Sequence, residues 1–505
     1  MAKNLYVRYI LAVLVLLAAG AFLRTLNLNK EFSGDETILI EISRQDVDQI
    51  VPQLTAKDIY PPLTYLAVHY LMRLVRPEFW VRGYFVLFGI GVCWLVYLIA
   101  KEYLDERLGR VSLLLSVFSP LMIFTSQYAR SYIDSAFWML LSVLFMLKII
   151  KGKSGIANWT GYAVSMALSL YTFYFSALLL FAQFVFVTAS AFKDRKTLLK
   201  WYAAFSLVGL AFLPWAPTAL RQFHNASSLV YDWAGKGLCV GPFRVGLYAR
   251  NIFSLIGLDQ SFMVFSGGAI RQFAKPVLMV AGLAGIGMFI FFLRYYFKRM
   301  EEALPGEKKL VWFLPCLILT PLAMTWVLAA VLNTLPIARY FVAFHALFLI
   351  LMAVAIRDIL TRKKALGISI LAIMLIVFAA RIPEAVSSEF GTRGASLFLR
   401  SHLSKSDCLI CVSLCPEEGA FNIIRTDRYL KLNDRGSEYI IDSPDSRKQL
   451  ANKIAMFKKA WFYKVYGNAE IFGANKIVES LLEEQGYRQE KVLKFKNIDI
   501  IMYKK

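Results

Sequence analysis

Apolar runs of about twenty residues, separated by short polar connections, recur along most of this chain. A bilayer core of about 30 Å needs roughly 20 largely apolar residues per helix, fewer where flanking Arg and Lys can snorkel. Spans are therefore expected near residues 7–26, 82–100, 109–128, 131–149, 156–172, 174–192, 201–220, 275–294, 310–332, 339–356 and 365–380. The run from Gly155 to Phe192 carries no charge and is too long for one span, so it divides at the aromatic cluster "YTFYF", which suits an interface. After Leu11–Leu17 the chain continues through "AAGAFLRTL" with further spans behind it, which favours a spanning helix over a cleaved signal.

Two other patterns interrupt the spans. Behind Pro61 and Pro62, the residues Leu63, Leu66, Tyr70, Leu71 and Leu74 recur at helical spacing, predicting an amphipathic helix along the interface. From Arg381 onward the period shortens: "DCLICVSL", "EYIID", "KAWFYKVYG" and "NIDIIMYKK" read as strands, and "NKIVESLLEEQG" as a helix closed by Gly. The expected fold is an α-helical polytopic membrane protein of about eleven transmembrane helices, residues 1–380, followed by a small soluble α/β domain, residues 381–505.

Composition agrees. Over 505 residues, 58% hydrophobic and 18% charged content lies outside the range of soluble domains. The net charge of +22 raises nucleic acid as a partner. Its Lys and Arg, however, sit in short connections such as "KEYLDERLGR", "KIIKGK", "KDRKTLLK" and "RDILTRKK", as the positive-inside rule requires, and no nucleic-acid partner is expected. With the amino terminus cytoplasmic, three larger pieces fall on the extracytoplasmic face of the cell membrane: the first outer loop 27–81, the loop 221–274, and the tail.

Candidate chemistry gathers on that face. In "FSGDETILIE", Ser33 and Glu36 have the spacing of a capping box, while Asp35 and Glu36 also suit a proton acceptor or a metal ligand; the two readings are compatible. In "SQYARSYIDSAF", Arg130 and Asp134 stand at i and i+4, which predicts a local ion pair, against a role for Arg130 as an anion contact. Arg339 and Tyr340 open a late span, either as interfacial anchors or as a grip on a lipid phosphate. His69 reads first as a packed interfacial residue. "CLICVSLCP" lacks the ligand spacing of an iron–sulfur site, so Cys408 and Cys411 are expected as buried thiols or one disulfide, with no metal centre. "NAS" at Asn225 is a sequon on the expected outer side.

Taken in order, the Asp-Glu loop, the Pro-Pro-Leu helix, "SPLMIFTSQYARSYIDSAF", "LYTFYFSALLLFAQ", "FLPWAPTALRQF" and "ARYFVAFHALF" resemble the integral-membrane GT-C glycosyltransferases, in the group of protein O-mannosyltransferases and aminoarabinose transferase. The resemblance covers roughly residues 7–360. It implies an inverting transfer from a polyprenyl or dolichyl phosphate sugar to an acceptor glycan, lipid or protein, with Asp35 as the catalytic general base or metal ligand and Glu36 as its partner. It also implies donor-phosphate or substrate contacts from Arg130, Tyr132, Arg339 and Tyr340, with Tyr60 and His69 as further candidates. No cofactor is implied beyond the lipid-linked donor, with a divalent metal as an option. Tyr60 stands where relatives often carry His or Lys, and Phe173 where His is common. A transporter or flippase of lipid-linked glycans is the alternative, disfavoured because the marked polar residues lie at one surface rather than at the midplane. A catalytically silent scaffold for the tail is a third reading.

Overall fold

The computed structural model describes residues 2–30, 32–74, 78–224, 290–291, 294–299, 301–302, 305–332, 338–387, 392–404, 406–412, 437–441, 451–452, 454–465, 474–495 and 498–505. They form two compact units: one from the described residues of 1–28, 42–259 and 278–386, the other from those of 29–41 and 387–505.

The first unit is helical. Its elements are α1 (Ala2–Thr25), α3 (Val47–Lys57), α4 (Leu63–Leu74), α5 (Glu78–Tyr103), α6 (Glu106–Phe118), α7 (Pro120–Ser126), α8 (Ile133–Ile150), α9 (Ile156–Thr172), α10 (Ser176–Ala191) and α11 (Arg195–Phe212), then α12 (Pro305–Leu332), α13 (Val342–Arg362) and α14 (Lys364–Val386). The intervening helix α2 (Gly34–Ser43) carries the division between the units.

Among the described residues seven helices are long and apolar enough to cross a bilayer: Val7–Thr25, Trp80–Tyr103, Ile133–Ile150, Arg195–His224, Lys308–Leu328, Arg339–Arg362 and Lys364–Pro383. Leu11, Phe22, Leu199, Leu207, Ile373 and Ile376 on these helices are each more than half exposed. Lipid tolerates such faces where water does not, and the chain is a polytopic membrane protein. At the centre of the bundle every side chain of α13 from Val342 to Ile356 is buried, the mark of a helix with protein on all sides. The uncharged run divides where expected, with Phe173 as the C-cap of α9 and α10 starting at Ser176. The expected loop 221–274 and span 275–294 fall largely, and the Asn225 sequon wholly, outside the described residues.

One expected span is different. Residues 109–128 do not form one helix: α6 ends at Phe118, α7 runs from Pro120 to Ser126, and the two are bent by 63°. Pro120 has no N–H with which to continue α6, and Ser119, in extended backbone, starts α7 by accepting the Met122 N–H at 3.4 Å. A break strands the last carbonyls of α6. Arg24, fully buried at the end of α1, takes them up, donating to Ser116 O at 3.1 Å and Val117 O at 3.2 Å, and also to Ser126 Oγ at 3.2 Å. The helices approach closely here: a Cβ on Gly89 of α5 would lie 2.0 Å from Ser126 Oγ.

The tail unit has a five-stranded sheet of β1 (Cys408–Val412), β2 (Ser437–Ile441), β3 (Lys459–Val465), β4 (Arg488–Phe495) and β5 (Ile498–Lys504), in the order β2-β1-β3-β5-β4. β1 runs parallel to β2 and β3; β5 runs antiparallel to β3 and β4. Alternation sorts the side chains. Cys408, Ile410, Phe462 and Tyr503 pack with Val478 and Leu482 of α16 (Ala474–Glu484), while Leu409, Trp461, Tyr463 and Ile500 pack with Ala395 and Leu399 of α15 (Thr392–His402). α16 closes as its sequence implies. Gly486 has φ +82, with Tyr487 N–H bonded to Leu482 O at 2.9 Å and Gly486 N–H to Glu483 O at 2.9 Å, a Schellman ending. Cys408 is a free, buried thiol whose pKa burial pushes up to about 12, with Asp407 adding to it. The side chain of Cys411 lies outside the described residues.

Two predictions follow from these contacts. Arg24→Met should leave the α6 carbonyls without donors at about 1–3 kcal/mol each, seen as a lower unfolding midpoint of the purified protein; an unchanged midpoint would remove the strut role. Burial alone would raise the Asp407 pKa, but Trp461 Nε1–H, Ser404 N–H and Lys459 outweigh it and hold the pKa below the ordinary value. That contribution is present above the unfolded carboxylate pKa of about 3.9 and is lost as pH falls through the lower folded value. Asp407→Asn should therefore cost the tail stability at pH 7, with the difference from wild type shrinking below about pH 4.

Candidate active site

α3 ends at Asp58 in extended backbone, its N–H on Leu54 O at 3.2 Å. Pro61 and Pro62 follow, and they keep the preceding residue extended before α4 begins. A second short segment, between α7 and α8, is pulled tight by Arg130 N–H on Tyr128 O at 2.8 Å and Tyr132 N–H on Arg130 O at 2.7 Å.

The two segments meet through a buried ion pair. Arg130 donates from Nη1 to Asp58 Oδ2 at 2.9 Å and from Nη2 to Oδ1 at 3.1 Å, both side chains being 5% exposed or less. Tyr65, from α4, donates to Asp58 Oδ2 and accepts from Arg130 Nη1 at 2.7 Å. Burial, opposed by Arg130, holds the Tyr65 pKa well above its ordinary value and keeps the phenol a donor. The expected Arg130–Asp134 pair does not form. Arg130 lies before the first turn of α8, so helical i,i+4 geometry is not available to it, and Asp134 accepts instead from Thr64 Oγ1 at 2.7 Å and Ser135 N–H at 3.0 Å.

Aromatic rings build on this pair. The Arg130 guanidinium lies 4.1 Å from the centre of the Tyr60 ring, whose hydroxyl is 2.8 Å from that of Tyr132. Tyr60 stacks on Phe173 at 5.5 Å, and Phe173 on Phe175 at 5.2 Å. Tyr340 reaches the same cluster, 5.6 Å from Tyr132 and 5.0 Å from Phe175, and Arg339 sits over Tyr128 and Tyr132 at 5.3 and 5.5 Å. Asp58, Tyr60, Arg130, Tyr132 and Phe173 are buried, whereas Phe175, Arg339 and Tyr340 are half-buried. A ligand would meet those three first. A guanidinium beside a phenol is suited to grip a phosphate by charge-assisted hydrogen bonds.

A relay braces the loop from behind. Gln222 Nε2 lies 3.1 Å from each of Leu54 O, Asp58 O and Tyr60 O; its Oε1 accepts from Tyr174, whose hydroxyl accepts from Trp215 Nε1 at 2.9 Å. Of the residues singled out in the sequence, Tyr60, Arg130, Tyr132, Arg339 and Tyr340 are thus brought together. His69 is used elsewhere, donating from Nδ1 to Ser43 O at 2.8 Å, because a carbonyl can only accept.

The acid pair belongs to the tail unit. Glu36 is buried and closes a capping box: its Oε2 accepts Ser33 N–H at 2.7 Å, and Glu36 N–H lies 3.4 Å from Ser33 Oγ. Asp35, in the same first turn, is half-buried. Among the described residues no group of three or more His, Cys, Asp or Glu is placed to hold a metal ion. Sequence reasoning missed Asp58, Tyr65, Gln222 and Phe175. The signal for Asp58 was an acid just ahead of a double proline, which fixes the backbone but names no partner.

The sequence model of the dolichyl-phosphate-mannose-protein mannosyltransferase family matches residues 60–219. No curated protein sequence matches significantly. Among solved structures, ArnT from Cupriavidus metallidurans in the apo state is 12% identical with a TM-score of 0.55, covering 99% of this chain and 98% of that one. The same protein bound to undecaprenyl phosphate gives 12% and 0.52 over the same shares. The oligosaccharyltransferase AglB from Archaeoglobus fulgidus, with an inhibitory peptide and a dolichol-phosphate, gives 13% and 0.51, covering 97% of this chain and 74% of that one. The likeness is one of fold, and the chain has the fold of the GT-C membrane glycosyltransferases.

Gln222→Leu should release the carbonyls of the loop. Hydrogen exchange of residues 54–60 is then expected to rise while α8 and α13 keep wild-type protection; unchanged exchange in that loop would show the brace to be idle.

Proposed function

We propose that this chain is an inverting glycosyltransferase that moves a sugar from a polyprenyl or dolichyl phosphate to an acceptor on the extracytoplasmic face of the membrane. One observation carries the reading: Arg339 and Tyr340, more than 200 residues further along the chain, pack against Tyr132 and the ring cluster on Arg130. The family match includes the Arg130 segment, and that family is described by a dolichyl-phosphate mannose donor. Two proteins of the same fold were solved with undecaprenyl phosphate and dolichol-phosphate.

In this reading Arg339 and Tyr340 hold the donor phosphate. The acceptor oxygen attacks C1 of the sugar while its proton passes to the Asp35 carboxylate. The C1–O bond to phosphate breaks, the electron pair leaves with the lipid phosphate, and Arg339 stabilises that charge. A single displacement inverts the anomeric centre. Asp35 rather than Glu36 is assigned the base, since the Glu36 carboxylate is engaged in starting α2.

The test is transfer from a panel of radiolabelled polyprenyl-phosphate sugars in membranes expressing equal amounts of folded wild type, Asp35→Asn or Arg339→Ala. Asp35→Asn should lose about 10²-fold or more in rate, and Arg339→Ala should lose both donor affinity and rate. Equal transfer by wild type and Asp35→Asn would return Asp35 to a structural place in the first turn of α2. Movement of labelled lipid-linked glycan across vesicles without transfer would favour the flippase reading.

A further inference from the structure

We propose that Asp58 is a positioning residue of this site, acting through Arg130 on the aromatic wall; the assignment rests on the transferase reading. Asp58 has no oxygen left for a reacting proton. Oδ1 accepts from Ile59 N–H at 2.8 Å and from Arg130 Nη2 at 3.1 Å, and Oδ2 accepts from Arg130 Nη1 at 2.9 Å and from Tyr65. It is therefore neither base nor ligand. What it does is fix a plane.

A bidentate carboxylate leaves a guanidinium one orientation, and here that orientation lays Arg130 against the Tyr60 ring. Tyr60 is in turn bonded to Tyr132 and stacked on Phe173, and these two rings carry Tyr340. The order of dependence runs from the buried acid to the half-buried residues that would meet the donor. Gln222 holds the Asp58 and Tyr60 carbonyls, so the acid is anchored in its backbone as well as its side chain.

Position and charge separate in one experiment. Asp58→Asn keeps the shape and removes the charge; the swap Asp58→Arg with Arg130→Asp restores a buried pair but moves the guanidinium off the Arg130 side. The full-length protein in lipid nanodiscs is compared for unfolding midpoint, for binding of undecaprenyl phosphate, and for kcat and KM with the donor found active in the panel. The swap should recover the unfolding midpoint lost in Asp58→Asn, while kcat stays at least about 10-fold below wild type, and both the KM for the donor and the Kd for undecaprenyl phosphate rise because the residues that meet the donor phosphate are displaced. Asp58→Glu, which keeps the charge, should recover part of kcat.

If the swap recovers kcat along with the midpoint, the pair is structural only and the proposal is overturned with the transferase reading intact. If folded Asp58→Asn transfers as wild type does, the proposal is again overturned alone. If both variants fail to fold, Asp58→Glu decides, since wild-type kcat in that variant also overturns it. A wild type that neither transfers sugar nor binds undecaprenyl phosphate overturns both the reading and the assignment that rests on it.

Discussion

Inside a bilayer no water completes an unfinished hydrogen bond, and the architecture of the helical unit follows from how its arginines meet that constraint. Arg24 is surrounded by carbonyls. Its charge is spread over the acceptors that the Ser119–Pro120 break exposes, so the break and the buried cation each supply what the other lacks. Arg130 meets the constraint differently, with a carboxylate 72 residues away in sequence and a phenol beside it. Removing either partner of such a pair leaves a buried charge, which makes this a rigid point rather than an adjustable one.

The two arginines are linked through a single turn. Gln127, the C-cap of α7, donates to Arg24 O and Leu26 O at 3.2 and 2.9 Å, closing the end of α1; three residues later Arg130 holds Asp58. The short α7 therefore has a reason to be a separate helix. A straight span over 109–128 would carry its end residues elsewhere, whereas the 63° bend lets one turn cap α1 and carry Arg130 and Tyr132.

Much of this was legible from local pattern, since spans, the division at "YTFYF", the capping box at Ser33 and the Gly-closed helix of the tail depend on residues a few positions apart. Features set by distant partners were not. Arg130 has Asp134 at helical spacing, and only the start of α8 at Ile133 shows that spacing to be irrelevant. β4, "RQEKVLKF", is dense with charge because it is an edge strand and largely exposed, so alternation had little to mark. The Ser119–Pro120 break did have a local signal, outweighed by the apolar content of the run.

Tyr60 and Phe173 depart from the residues common in the resembling family, and the structure joins the two departures. Their rings stack at 5.5 Å with planes 13° apart, and the Arg130 guanidinium lies over the Tyr60 ring at 4.1 Å. A His or Lys at either position would add a second cation or a hydrogen-bonding edge beside Arg130, which Asp58 alone would have to balance. Changing both to aromatics removes that conflict: one buried acid is matched to one buried guanidinium, and the rings transmit its position without adding charge.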